Sequence, residues 1–165
     1  MLAVCFALAA LVLAGCGTGS DTSSPPPPAD SSDTHDPTMA ARTWQFLNQF
    51  KQCAYRAESA LTQTGIAADF QEASDLIFGA KTACSNIHSN MYSMDTEHFA
   101  DEALDAEVAV GWYEDALGSL LDYFDTQAPS SLSKAKQTLT QARGLKEQAV
   151  REINERRRVY GFGPV

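Results

Sequence analysis

The sequence predicts an all-α protein built as an antiparallel up-and-down four-helix bundle. Three observations carry that reading. Four segments after Thr38 place apolar residues at gaps of three and four, the spacing that gathers side chains on one face of a helix. β-branched runs are few and no hairpin signal is present. Short connections containing Gly, Pro or a capping residue separate the segments, and long helices joined this way pack antiparallel to their chain neighbours. With 165 residues, 44% of them hydrophobic, the chain has room for one sizeable core and not for two.

The first helix is expected from about Pro37 to Gln63. Phe46, Phe50, Cys53, Ala57 and Leu61 form its stripe, Trp44, Leu47 and Ala54 widen the core-facing arc, and Gly65 stops it. The second is expected from about Asp69 to Tyr92. Asp69 and Glu72 have the spacing of a capping box, and the stripe runs Phe70, Ala73, Ile77, Ala80, Cys84, Ile87, Met91. The third is expected from about Glu97 to Asp125, with Asp95 or Thr96 as cap. Its stripe runs Phe99, Ala103, Ala106, Val110, Tyr113, Leu117, Leu120, Phe124. The fourth is expected from about Ser131 to Tyr160, entered at Pro129 and ended by Gly161, Gly163 and Pro164. Leu132, Ala135, Leu139, Ala142, Leu145, Ala149 and Ile153 line its inner face. The heptads are too imperfect for a long coiled coil.

Ahead of this domain, 37–165, lie two segments of different character. Leu2 to Ala14 is apolar, uncharged and thirteen residues long, too short to span a bilayer comfortably. It ends in Leu13-Ala14-Gly15-Cys16. Small residues just before a cysteine fit a narrow peptidase site, and here the chain resembles bacterial lipoproteins. The resemblance covers about 16 residues and speaks to processing rather than fold. It implies removal of signal peptide 1–15, lipidation of Cys16 and anchoring of the chain to the bilayer through its acyl chains. One departure is that only Met1 precedes the apolar run, where the pattern has a basic segment; a start placed too late would explain it. An ordinary secretory signal with a chance cysteine is the alternative. Gly17, not Asp, follows Cys16. The resemblance then implies the outer membrane in a two-membrane envelope, or the outer face of the plasma membrane in a one-membrane envelope.

Residues 16–36 continue as GTGSDTSSPPPPADSSDTHD after Cys16, with no aliphatic side chain larger than Ala. Such a segment buries too little to offset backbone ordering. Pro25 to Pro28 are expected to form a short polyproline II spacer between flexible arms. His35, between Asp33 and Asp36, reads as a solvated residue of that tether.

Export reduces four cysteines to two. Cys5 leaves with the signal and Cys16 carries lipid, so Cys53 and Cys84 remain in an oxidising compartment, both on apolar stripes of adjacent helices. We expect a disulfide between them, with two inert buried thiols as the alternative. The spacing is not that of a redox-active Cys-x-x-Cys pair.

Charge is sorted by helix. Residues 95–125 hold ten acids and no Lys or Arg, whereas residues 130–160 hold eight basic residues and three acids. An antiparallel hairpin of opposite charge is the simplest consequence. Arg156, Arg157 and Arg158 suit a helix C-terminus, and also have the chemistry to touch anionic lipid or a polyanion. The net charge of −9 argues against nucleic acid as a partner.

Reaction centres are not legible. His88, His98, Asp101, Glu102 and Asp105 are the candidate metal ligands, but the paired Glu-x-x-His sets of di-iron bundles do not occur. Gly-x-Ser-x-Gly, His-Glu-x-x-His and phosphate-binding glycine loops do not occur either. Gly79, Gly111, Gly118 and Gly144 fall inside predicted helices, where each costs up to about 1 kcal/mol against Ala. Gly111 and Gly118 share a face, which points to close helix approach or to a gap that admits a ligand. The sequence therefore reads as a non-enzymatic, cofactor-free envelope lipoprotein whose helical domain meets an envelope protein or cell-wall partner. A small-ligand or metal-binding lipoprotein with a pocket between helices is the second reading.

Overall fold

The computed structural model describes residues 37–64 and 67–165. The apolar segment, Cys16, the tether with His35, and the expected stop at Gly65 lie outside the described residues. The described residues belong to one compact unit, Ser32–Val165. Its elements are α1 (Pro37–Thr64), α2 (Phe70–Tyr92), a 3-10 turn (Glu97–Phe99), α3 (Ala100–Thr126) and α4 (Pro129–Val159). Chain neighbours pack on one another throughout, most extensively α3 on α4, while α1 and α4 meet more lightly and α1 also reaches α3 across the core. This is the predicted four-helix bundle. No described helix is long and apolar enough to cross a membrane.

The helix ends follow from capping chemistry. Asp69 Oδ1 accepts the Glu72 N–H at 2.9 Å, and Glu72 Oε2 accepts the Ala68 N–H at 2.7 Å. The box is thus reciprocal, but the carboxylate reaches one residue further back than usual. Pro129 occupies the first turn of α4, where its missing N–H costs nothing. At the far end, Gly161 takes a positive φ of 77°. The Phe162 N–H bonds Arg157 O and the Gly161 N–H bonds Arg158 O, each at 2.9 Å. That pattern is a Schellman stop, and it turns residues 161–165 back along the bundle.

The third helix departs from expectation at its start. Residues 97–99 form a 3-10 turn, and Phe99 has φ −147° and ψ 39°. The break lets its ring drop into the core edge-on to Phe46, with ring centroids 5.4 Å apart. Asp95 does serve the entry, through Oδ1 to the Glu97 N–H at 3.3 Å.

Most stripe residues are buried as the spacing requires, with Tyr113, Phe46, Phe50 and Phe99 the largest. Two are not. Trp44 is 53% exposed, because Thr43 and Leu47 on either side of it in register take the inward positions. Phe70 is 56% exposed; as the first residue of α2 it lies beyond the core and meets the edge of Phe124 instead. Alanine does the work of close approach. α4 buries Ala135, Ala142 and Ala149, a seven-residue repeat that lets it lie against α3.

Cys53 and Cys84 form a disulfide with their Cα atoms 4.7 Å apart, at the buried centre of the α1–α2 seam. Its closure of a 31-residue separation constrains the unfolded chain. Replacing both cysteines by Ala is expected to lower unfolding free energy by about 2–4 kcal/mol, measured by urea denaturation beside the oxidised parent. Equal stability of parent and variant would contradict a stabilising staple.

Candidate functional site

Of the residues singled out in the sequence, Cys16 lies outside the described residues, and Cys53 and Cys84 are spent in the core. Among the described residues, the polar groups that bear on a site gather in a half-buried node, a clasp and grooves along the helix seams.

The node is centred on Glu58 of α1. Buried Tyr113 of α3 donates its O–H to Glu58 Oε1 at 2.8 Å, Lys146 of α4 donates to the same oxygen at 2.9 Å, and Arg143 lies 3.7 Å away. Burial raises the Glu58 carboxyl, but the hydrogen bonds from Lys146 and Tyr113 and the nearby positive charges outweigh it, so its pKa lies below the ordinary value of 4.5. Burial pushes the Tyr113 phenol up, and Glu58 pushes it further. A phenol held this firmly in its protonated form is a structural donor, not a base. On α3, burial raises the Glu107 carboxyl against the opposing influence of His88.

The clasp corrects the reading of the three arginines. Successive helical residues point about 100° apart, so they do not act together. Arg156 pairs with Glu102 at 2.7 Å. Arg157 is buried and donates to Gly163 O (3.0 Å), Ala40 O (2.9 Å) and Thr43 Oγ1 (2.7 Å). Its guanidinium also lies 5.9 Å from the Phe162 ring centre. Arg157 thereby ties α4, the start of α1 and the C-terminal segment together. Lys51 and Asn154 complete the attachment by bonding Val165. Arg158 alone of the three is an exposed residue.

The opposite charges of α3 and α4 are used less directly than expected. Among the described residues their direct ion pair is Arg156–Glu102, while Arg143 and Lys146 turn to Glu58 on α1.

Two of the helix glycines, Gly111 and Gly118 of α3, face side chains of α2. A Cβ at Gly111 would meet His88 Cε1 at 4.0 Å, and one at Gly118 would meet Lys81 Nζ at 3.3 Å. Lys81 and His88 are seven residues apart, as are Gly118 and Gly111, so one antiparallel register places both pairs. Gly118 leaves room for the Lys81 ammonium, while a Cβ at Gly111 would stand in ordinary contact with His88. His88 also bonds Glu114 at 3.1 Å, and His98 is exposed on the 3-10 turn. Among the described residues no group of three or more His, Cys, Asp or Glu side chains is placed to hold a metal.

The grooves lie at helix seams. One of about 590 Å³, between α3 and α4, has a carboxylate-rich rim around Leu104 and Val159. One of about 460 Å³ runs beside Gly118, with Lys81, Lys134, Glu114 and Asp122 on its walls. One of about 500 Å³ lies between α1 and α4, over Ala54, Tyr55 and Val150. The sequence stripes could not find them, because periodicity identifies inward faces and not the seams between outward flanks. No protein-family model, curated protein or solved structure matches the chain.

Two outcomes test this geometry. The Glu58 carboxyl is depressed in the fold, so its contribution to stability is present above its unfolded pKa near 4.5 and is lost as pH falls through the lower folded value. Urea denaturation between pH 3 and 6 should therefore show a shallower acid loss for Glu58→Gln than for the parent; equal slopes would show that the node carries no linkage. Gly79 and Gly144 have open space where a Cβ would stand. Their Ala variants should each gain about 0.5–1 kcal/mol, read as a raised thermal midpoint, and a fall would mean the helices need these glycines.

Proposed function

We propose that this chain is a membrane-anchored envelope lipoprotein carrying a non-catalytic helical interaction domain. The anchor rests on the apolar run ending in Leu13-Ala14-Gly15-Cys16. Two or more acyl chains at Cys16 would hold the protein stably, where one would hold it only marginally. The Ser/Pro-rich segment up to Asp36 supplies a spacer between bilayer and bundle.

One observation carries the interaction reading. Trp44, Tyr55, Phe78 and Leu104 are large apolar side chains exposed on helices whose inward faces already fill the core. They are apolar area that the bundle leaves in water and that a second surface would bury. A protein or cell-wall component of the envelope suits an exported, tethered domain in a chain of net charge −9. The ligand-binding reading has the polar groove beside Gly118 in its favour. It is the weaker reading, because the Lys81 side chain already fills part of the space beside Gly118.

Cys16→Ala in the full chain is expected to abolish acylation, read by mass spectrometry of the N-terminal peptide, and to move the protein out of the membrane fraction. An unchanged membrane fraction would overturn the anchor. Affinity capture of the full chain from its native envelope should recover a stoichiometric macromolecular partner. Recovery of the protein alone, with a small molecule retained, would overturn the interaction reading and favour the second.

A further inference from the structure

The groove between the first turns of α3 and the last turns of α4 is built against the charge pattern of its own helices. Between residues 130 and 160, eight basic residues outnumber three acids. Yet two of those acids, Glu152 and Glu155, line the groove. They face Asp101, Glu102 and Asp105 of α3 across it. Arg156 is the cation among the lining residues, and it is committed to Glu102 at 2.7 Å.

Like charges on neighbouring helices repel. Glu155 lies about one turn from the end of α4, where the helix dipole also disfavours a carboxylate. Internal compensation is thin. Gln148 donates to Asp105 Oδ2 at 3.4 Å and to Glu152 Oε1 at 3.0 Å. Glu102 Oε2 is buried and accepts no hydrogen bond. Local rules broken without an internal gain are expected where a surface serves something outside the fold.

The same groove exposes two aliphatic side chains, Leu104 at 59% and Val159 at 70%. The carboxylates are spread along it, and no three of them converge on a metal-sized point. Dispersed negative charge around an aliphatic floor matches a row of cations flanking an apolar side chain. We propose that this groove docks a basic amphipathic segment of a partner protein, with Lys or Arg over the carboxylates and an apolar side chain between Leu104 and Val159. The proposal rests on the interaction-domain reading and assigns that reading a surface and a partner chemistry.

The probe is a dye-labelled peptide of about a dozen residues, with Lys and Leu at helical spacing. Its control has Glu in place of Lys. Binding to the full chain in non-ionic detergent is followed by fluorescence anisotropy, with partitioning into detergent alone subtracted. The Lys peptide should bind and the Glu peptide should not. Binding should weaken as salt rises. Neutralising Asp101, Asp105 and Glu155 together, as D101N/D105N/E155Q, should weaken binding about tenfold or more, since several rim charges are lost at once. Leu104→Ser should weaken it about threefold to tenfold through lost apolar contact. D115N/D122N/D125N removes the same charge from the other half of α3 and should change affinity less than about twofold. Circular dichroism of each variant establishes that it is folded.

Equal loss from the two triple variants would reduce the binding to bulk charge and overturn the proposal. So would an unaffected Leu104→Ser variant, or no binding of the Lys peptide at low salt. If the peptide fails while envelope capture still yields a partner, this groove is wrong and the interaction domain stands. If both fail, both readings fall.

Discussion

The disulfide between Cys53 and Cys84 fixes the register on which the rest of the bundle depends. It brings α1 and α2 to 4.7 Å at the centre of their seam. With α2 held there, Lys81 lies against Gly118 of α3 and His88 bonds Glu114, and those contacts set α3 against α2. Tyr113 of α3 is thereby carried to Glu58 of α1, and Glu58 then takes Lys146 of α4. Each step uses a side chain placed by the step before it. The light α1–α4 seam is closed by the Glu58 node in its upper half and by the Arg157 clasp with residues 161–165 in its lower half.

Much of this architecture was legible in the sequence, for a physical reason. Periodicity reports which face of a helix turns inward, so Ile77, Cys84, Met91, Val110 and Ile153 are buried where their spacing places them. Cys53 and Cys84 sat on those stripes, and the compartment implied by the N-terminal motif made their oxidation the natural expectation. What periodicity does not report is the edge of a stripe. Trp44 and Thr43 are adjacent, and the smaller, polar residue is the buried one because it bonds Met39 O and receives Arg157. Phe70 has the right spacing but stands beyond the last layer of core. The start of α3 was misplaced because a 3-10 turn and an α-helix share their local sequence preferences. They differ only once the tertiary position of Phe99 is known.

The candidate site was less legible still. Three consecutive arginines look alike on paper, and distant partners give them three separate fates: Glu102 for Arg156, the C-terminal segment and α1 for Arg157, and solvent for Arg158. The sorting of charge by helix was visible, and its simplest consequence, a hairpin zipped by ion pairs, is only partly realised. The departure is concentrated at one place. Acids of the basic helix gather beside acids of the acidic helix, around two exposed aliphatic side chains. Of the eight basic residues on α4, only Arg156 lines that groove, against five carboxylates. This marks the groove as the surface we propose for a cationic partner, in a domain for which we propose an envelope anchor.

That account makes the groove's carboxylates a burden on the free protein and an asset in the complex. Thermal melts of the parent and of Glu155→Gln, each with and without the Lys/Leu peptide, separate the two roles in one measurement. The account predicts that the variant alone melts about 1–2 °C above the parent, and that it gains less from the peptide than the parent does. A variant that melts below the parent when free would show that Glu155 serves the fold itself, and would contradict the account.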